Sequence, residues 1–211
     1  MKIIKIIMLL GCITLLSTPA YSQVSIGGKL NLIKLFGGLS GSSLGAGLRG
    51  EYGIDERKVI IVGFDYYLGS KDEYTTFGSP IPPGTFSIEI PVTEELKFIH
   101  FQAGSKYYLL GDYEDDMNIY TSALIGLLLA PYTTTVGEYD ETKYSTSWED
   151  QKTTFWNFTI GLGIGAERKL RFGYVFADLN LVLPASQVSI LIVRVKIPTS
   201  IIFDVGVRIP F

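Results

Sequence analysis

Hydrophobic and polar residues alternate strictly in the last twelve residues of the chain. Counting back from the C-terminus in steps of two gives only apolar residues: Phe211, Ile209, Val207, Val205, Phe203 and Ile201. The positions between them are mostly polar or small and include Asp204 and Arg208. Because successive side chains of a β-strand point to opposite faces, this pattern predicts a strand with one apolar face and one face that carries charge.

The same alternation recurs upstream and predicts an all-β protein with eight strands. Most of the alternating segments have about eleven to thirteen residues, which exceeds the usual length of strands in soluble sheets and suits tilted strands that cross a membrane. The segments that precede residues 200–211 are 24–36, 44–54, 58–68, 96–110, 118–130, 154–166 and 172–183.

Short and long connections alternate between the predicted strands. Short polar turns are expected at 55–57, 111–116 and 167–171, and longer connections at 37–43, 69–94, 131–152 and 184–199. In transmembrane barrels an even number of strands is joined by short periplasmic turns and long extracellular loops. We therefore predict an eight-stranded antiparallel up-and-down transmembrane β-barrel, in which the connection 37–43 is short for its side.

The N-terminus has the layout of a secretory signal peptide. Lys2 and Lys5 precede an apolar run, and Ala20 and Ser22 place small residues at the positions expected before a cleavage site. We therefore expect a signal peptide over residues 1–22 and one barrel domain over residues 23–211. Cleavage before Cys12, which would then carry lipid, is the alternative, but the apolar run continues beyond it.

Composition excludes several classes of function. Cys12 is the only cysteine, so a mature chain without it has no disulfide and no zinc–thiolate site. The net charge of −3, without a basic cluster, argues against a nucleic-acid partner. No later apolar run reaches the ~18–20 residues of a membrane-spanning helix.

Charged residues share the face of the predicted strands that lies opposite the apolar columns. In a membrane barrel this face lines the lumen, where we expect charges to pair because unpaired buried charge is costly. Eight strands enclose a lumen that side chains fill, which predicts a closed core, with an ion or proton path as the alternative. A soluble lipocalin-like barrel would reverse the two faces. The predicted lumen network consists of Lys29, Arg49, Glu51, Asp65, His100, Lys106, Asp178, Asp204 and Arg208.

The arginines Arg49 and Arg208 are expected to neutralise the carboxylates of this network. Five inward glycines are expected to make room for the arginines and for inward aromatic rings. They are Gly45, Gly47, Gly161, Gly163 and Gly165.

The final strand resembles the C-terminal assembly signal of bacterial outer-membrane barrels, carried here by Phe203, Val205, Val207, Ile209 and Phe211. The eight predicted strands are similar in architecture to small barrels of the OmpA/OmpX type. The segment 24–31 resembles the start of the PorT-like barrels of the Bacteroidota, which usually have no assigned role and in some members are linked to secretion or gliding. The resemblance implies the outer membrane of a Gram-negative bacterium, with membrane lipid as surroundings. It also implies the barrel-assembly machinery and periplasmic chaperones as partners during biogenesis.

His100, the only histidine, is the strongest candidate for chemistry because general-base catalysis near neutral pH favours imidazole. Barrel hydrolases of the omptin, phospholipase A and lipid A deacylase types work at the rim, whereas His100 is predicted in mid-strand. The residue two places on is Gln102 and not the serine of the deacylases. We therefore expect His100 to be structural.

The remaining motifs also favour structural interpretations. The acidic turn 111–116 lacks the ligand spacing of a calcium loop, and the glycines between 161 and 165 precede no helix that could bind a phosphate. We predict no catalytic residue, metal or cofactor.

The predicted function is that of a non-enzymatic, monomeric barrel that has a structural or surface-recognition role. The connections 69–94 and 131–152 could meet an extracellular ligand, or they could be solvated and mobile. An accessory role in a secretion or transport assembly is the alternative, and a rim-sited hydrolase of lipid or peptide is a further one.

Overall fold

The computed structural model describes residues 24–36, 41–81, 86–185 and 199–211, among which no helix could span a membrane. The predicted signal peptide, residues 1–22, lies outside these residues. The strands are β1 (Val24–Phe36), β2 (Gly41–Gly53), β3 (Lys58–Pro80), β4 (Ile88–Leu110), β5 (Met117–Val136), β6 (Tyr144–Ser145), β7 (Gln151–Leu170), β8 (Gly173–Pro184) and β9 (Thr199–Pro210).

Eight of these strands form a closed antiparallel ring. The strands β1, β2, β3, β4, β5, β7, β8 and β9 each pair with the next in this order, and β9 pairs with β1. At the closure Ser25 lies opposite Pro210, and Phe36 lies opposite Thr199. The two-residue β6 adds only to the tip of β3. The predicted eight-stranded antiparallel barrel is therefore confirmed.

Across the middle of the barrel the ring turns most of its apolar side chains outwards and its charged side chains inwards. On β1, exposed and buried residues alternate without exception. The outward Leu30 is 72% exposed and the outward Ile125 is 67% exposed, whereas Arg208 in the lumen is 0% exposed. This is the orientation predicted for a membrane barrel and the reverse of a lipocalin-like carrier.

Tight connections gather at one end of the barrel, which we call the short-turn end. Residues 54–57, 111–116 and 171–172 lie there. The two ends of the described chain meet there as well, since the Phe211 amide donates a hydrogen bond of 2.8 Å to the Val24 carbonyl.

The bounds of the turn predicted at 167–171 are wrong. β7 continues to Leu170 because its alternation persists beyond residue 166, and only residues 171–172 turn. The continuation places Glu167 inside the strand, with its side chain buried in the lumen.

The connections predicted at 69–94 and 131–152 are also wrong in part, because most of these residues extend the strands of the ring. The prolines of this region suggested a loop, yet Pro91 sits within β4 opposite Thr75, and apolar residues such as Ile90 and Val92 continue the alternation around it. Of the other two long connections, residues 37–40 and 186–198 lie outside the described chain.

We call residues 69–81, 86–97 and 131–152 the extension. It contains the outer parts of β3, β4 and β5 and the start of β7, and it rises beyond the rest of the ring. The pairing shows that β3 and β4 extend beyond β2. β2 pairs with β3 only up to Tyr67, whereas β3 and β4 remain paired as far as Gly78 and Ile88. The extension lies at the end opposite the short turns.

Closure between β1 and β9 can be tested with a disulfide between Leu30 and Val205, which are directly opposite each other on the outer face. Directly paired residues have Cα atoms about 4.5–5.5 Å apart, within the range that a disulfide spans. In a Cys12→Ala background, we expect Leu30→Cys/Val205→Cys to oxidise and to change the mobility of the boiled protein in non-reducing SDS gels.

A mismatched pair controls for chance collisions. Leu30→Cys/Ile209→Cys places the thiols about 13 Å apart along the strand direction, too far to bond without disruption. Equal oxidation of both pairs would contradict the closed ring and its register.

Candidate functional site

The lumen network is densest near the short-turn end, where Glu167 accepts bonds from four side chains. Arg208 binds it in a bidentate manner, with Nε 3.0 Å from Oε2 and Nη2 2.6 Å from Oε1. Lys106 Nζ lies 3.1 Å from Oε2, and the Tyr108 hydroxyl donates to Oε1 at 2.6 Å. The Asn118 amide adds a bond of 3.2 Å. A carboxylate held in this way is neutralised and fixed in position.

Glu51 and Asp178 join the same network from β2 and β8. Glu51 Oε1 lies 3.1 Å from Lys106 Nζ and 2.7 Å from Arg49 Nε. Arg49 also pairs with Asp178, which accepts a hydrogen bond from the Tyr120 hydroxyl. The guanidinium of Arg49 lies 4.7 Å from the centre of the Phe176 ring, so a cation–π contact supports its position.

Asp65 and Asp204 are neutralised by Lys29 and not by the arginines, which corrects the pairing expected from the sequence. Lys29 Nζ lies 3.0 Å from Asp65 and 3.1 Å from Asp204. The Asn31 amide donates to both carboxylates at 2.9 Å, and Gln102 donates to Asp65 at 2.8 Å. A lysine between two aspartates therefore connects β1, β3 and β9 across the lumen.

His100 lies in the lumen at 2% exposure, as its alternation predicted. Its Nε2 is 3.0 Å from the Thr159 hydroxyl, and its Nδ1 has no hydrogen-bond partner among the described residues. Both His100 and Thr159 are buried in the lumen, away from the rim at which a substrate could reach them, so this arrangement favours a packing role.

The carboxylates of the acidic turn 111–116 bind the backbone of the turn itself and a neighbouring turn. Asp115 Oδ2 accepts the amide of Asp112 at 3.0 Å, and Asp112 pairs with Arg57 across the turns at 3.3 Å. In the part of the chain that the structure describes, no group of three or more metal-binding side chains is found.

Apolar side chains pack across the lumen at both ends of the charged network. Near the extension they are Ile33, Leu35, Tyr67, Leu96, Phe98, Leu128, Ala130, Val182 and Ile202. At the short-turn end they are Val59, Tyr108, Tyr113 and Tyr120.

The side chain of Tyr113 extends from the turn 111–116 into the lumen. Its hydroxyl donates to Ser25 Oγ at 2.9 Å, and the Arg208 guanidinium lies 4.3 Å from its ring centre. Between the two apolar layers, the cavity beside Lys29 and Asp178 measures about 10 Å³, which is room for one water molecule. The lumen is thus filled by its own side chains.

A second cluster lies on the inner face of the extension and consists of Tyr74, Glu94, Tyr132, Trp148 and Phe155. We call it the Glu94 cluster. The hydroxyls of Tyr74 and Tyr132 both donate to Glu94 Oε1, the first at 3.0 Å. Trp148 contacts Tyr74 edge-to-face with ring centres 5.6 Å apart, and Phe155 lies 6.3 Å from Tyr132.

Strand register places the two tyrosines on either side of Glu94. Its direct neighbours across the sheet are Asp72 on β3 and Thr134 on β5. The phenols come from the diagonal positions two residues away, which long aromatic side chains can reach. None of Tyr74, Glu94 and Tyr132 was among the site residues predicted from the sequence.

Both phenols of the cluster remain hydrogen-bond donors over the physiological pH range. Burial, followed by the hydrogen bond to Glu94, raises the pKa of Tyr74 to about 12. Burial and the same carboxylate also raise the pKa of Tyr132. A raised phenol pKa means that the protonated, donating form is favoured, so the phenols lose their protons only in strongly alkaline solution.

The segment that carries Trp148 is anchored to the strands of the extension. The Gly137 amide donates to the Pro91 carbonyl at 2.7 Å, and the Val136 amide donates to Asp150 at 2.8 Å. Asp140 caps the turn before β6, and its hydrogen bonds with Thr142 lower the pKa of Asp140 to about 2. These bonds favour a structured segment over the mobile loop considered from the sequence.

The residues of the predicted C-terminal signal lie on β9 and directly after it. Phe203, Val205 and Ile209 are 42–47% exposed on the outer face, and Phe211 is 79% exposed at the end of the chain. Val207 shares this face. Their role in assembly stays a prediction.

An apolar outer face around a ring with a charged, filled interior defines a membrane-spanning β-barrel. The family model described as "Outer membrane protein beta-barrel domain" matches residues 8–176 of the chain. The chain therefore belongs to this family and is a protein of the outer membrane. Because short turns are periplasmic in such barrels, we expect the extension on the extracellular side.

Solved structures of other proteins are similar to the chain at low sequence identity. A major outer membrane protein from Thermus thermophilus has a TM-score of 0.57 at 12% identity, with 91% of this chain and 100% of that chain covered. Ail of Yersinia pestis has a TM-score of 0.49 at 14% identity, covering 90% and 97%. Neisserial surface protein A also has a TM-score of 0.49 at 14% identity, covering 89% and 97%. No curated protein matches the chain, and the predicted likeness to PorT-like barrels stays a prediction.

Substitution of Glu167 tests whether the lumen network stabilises the barrel. In Glu167→Ala, Arg208 and Lys106 lose their shared carboxylate, and breaking such a buried pair costs about 3–5 kcal/mol. We expect the free energy of unfolding in urea, measured in lipid vesicles, to fall by roughly this amount. Arg208→Ala should have a similar effect.

Arg168→Ala is the matched control because Arg168 is the next residue of β7 and is exposed. Its substitution should change stability by about 0.5 kcal/mol or less. If Glu167→Ala were no more destabilising than Arg168→Ala, the network would not hold the barrel together.

Proposed function

We propose that this outer-membrane barrel is a non-enzymatic recognition protein whose extracellular extension meets a cationic partner at the cell surface. The observation that carries the proposal is the Glu94 cluster, an ordered group of aromatic rings around a carboxylate, held above a lumen that is filled with side chains.

Because the lumen is filled, we infer that the function resides on the outside of the molecule. The layer near the extension, which is almost wholly aliphatic and aromatic, opposes the passage of ions because it provides few polar partners for a dehydrated charge. The charged residues between the two apolar layers are engaged with one another, as in the pair of Lys29 with Asp65. This supports a structural lumen and argues against a transport path.

The charge of the extension sets the chemistry of the partner. Residues 69–81, 86–97 and 131–152 contain ten acidic and four basic side chains, a net charge of −6, whereas the whole chain has −3. A concentrated negative charge attracts cationic partners and accelerates their association. The acidic side chains are Asp72, Glu73, Glu89, Glu94, Glu95, Glu138, Asp140, Glu141, Glu149 and Asp150.

Trimming the extension at paired positions tests the proposal. Replacing residues 72–94 by Asn-Gly joins Lys71 to its partner Glu95, and replacing 134–151 by Asn-Gly joins Thr133 to its partner Lys152. Asn-Gly forms the two-residue hairpin turn that suits such pairs. We expect cells carrying the trimmed protein to lose most of their adhesion to a poly-L-lysine surface relative to cells carrying the full chain.

Two measurements control this experiment. Retained mobility shift between cold and boiled SDS shows that the trimmed barrel is folded, and the profile of secreted proteins should stay unchanged. Undiminished adhesion of the trimmed protein would contradict the proposal. Loss of secretion with unchanged adhesion would favour the accessory role in a secretion assembly.

A further inference from the structure

From the geometry of the Glu94 cluster we infer that it is a binding site for a substituted ammonium group, an organic cation that carries methyl or methylene groups. The inference rests on the proposed function, because it specifies the ligand class of the same extracellular surface. Three features of the cluster support it: a partly free carboxylate, aromatic rings around it, and the engagement of neighbouring lysines.

The carboxylate of Glu94 is oriented but not fully used. Tyr74 and Tyr132 both donate to Oε1, which leaves Oε2 outside both bonds. The residue is partly exposed, unlike the carboxylates of the lumen. A ligand can therefore reach a negative charge whose position is already set, which lowers the cost of ordering the site on binding.

Aromatic rings surround this carboxylate on two sides. The ring planes of Tyr74 and Trp148 lie at 69° to each other, and those of Tyr132 and Phe155 at 49°. All four residues are only partly buried, so parts of their rings meet solvent. Ring faces attract cations, and groups of rings are the known means of binding quaternary ammonium ligands.

Nearby lysines are engaged by other carboxylates. Lys71 pairs with Glu73, Lys97 pairs with Glu95 at 2.9 Å, and Lys143 pairs with Asp140 at 3.0 Å. Three of the four lysines of the extension therefore pair with carboxylates other than Glu94.

A metal ion suits the cluster less well than an organic cation. Hard divalent cations take six or more oxygen ligands, and several carboxylates usually supply them. Within the described residues no group of three or more His, Cys, Asp or Glu side chains could hold a metal. Phenyl and indole faces favour a weakly hydrated cation with apolar substituents instead.

Trp148 provides a direct signal for binding. The chain has two tryptophans, and Trp156 is lipid-facing and 52% exposed, so Trp156→Phe leaves Trp148 as the only one. We expect choline to change the fluorescence of Trp148 saturably in the full-chain protein dissolved in a maltoside detergent. Detergents with a choline or amine head group would carry the ligand chemistry and must be avoided. The neutral isostere 3,3-dimethyl-1-butanol should give no saturable change.

Charge variants on β4 identify the carboxylate that binds choline. Glu94→Gln should weaken choline binding about tenfold or more, because it removes the charge and keeps the shape. Glu89→Gln removes an exposed charge of the same strand that lies outside the Glu94 cluster, so it should weaken choline binding much less, through the loss of long-range attraction alone. Tyr74→Phe keeps the ring and should retain most of the affinity, whereas Tyr74→Ala should lose it.

Three results would overturn the inference: equal responses to choline and its neutral isostere, equal effects of Glu94→Gln and Glu89→Gln, or unimpaired binding in Tyr74→Ala. Adhesion separates this inference from the proposed function. If choline fails to bind while trimming still abolishes adhesion, only the ligand class is wrong. If choline binds but trimming leaves adhesion intact, the site stands and the proposed recognition role fails.

Discussion

Hydrogen bonds between β1 and β9 close the sheet, and the other features of the barrel depend on this closure. A strand edge left open in lipid would present N–H and C=O groups that no water could satisfy. Closure removes both edges, but it also encloses the inner face of every strand in the ring. The enclosed space is narrow with eight strands, so side chains from opposite walls meet and have to be compatible in size and charge.

Side chains from opposite walls match in charge because the lumen holds four cations and five carboxylates. They are Lys29, Arg49, Lys106, Arg208, Glu51, Asp65, Glu167, Asp178 and Asp204. Each carboxylate lies beside at least one cation, which offsets the cost of removing both charges from water. Glycines on the same face admit the larger groups. A Cβ atom on Gly165 would lie 2.5 Å from the Tyr120 ring. This glycine therefore makes room for one of the inward aromatic rings that the sequence predicted, and no arginine atom is among the three atoms nearest to it.

Alternation alone was enough to predict the ring, its orientation and the direction of the nine proposed lumen residues, because the two-residue period is a local property. Glu167 could have been found by extending the series of residues 163 and 165, but the charged residues after it resembled a turn. The partners of Lys29 could not be predicted, because they depend on the register between distant strands. The extension was predicted as loop because its prolines and acidic residues are typical of loops, and Glu94 acquires its phenols only through cross-strand pairing.

The pairing of Lys29 with Asp204 has a consequence for the order of folding. The two residues are 175 positions apart, so the contact has to wait until the last strand arrives. Contacts between such distant residues slow folding because a long loop must close first. Until β9 docks, Lys29 lacks one of its two carboxylates and Glu167 lacks its arginine. In an unfinished sheet these charges are therefore incompletely paired, and docking of the final strand pairs them and encloses the lumen in one step, which makes completion of the barrel cooperative.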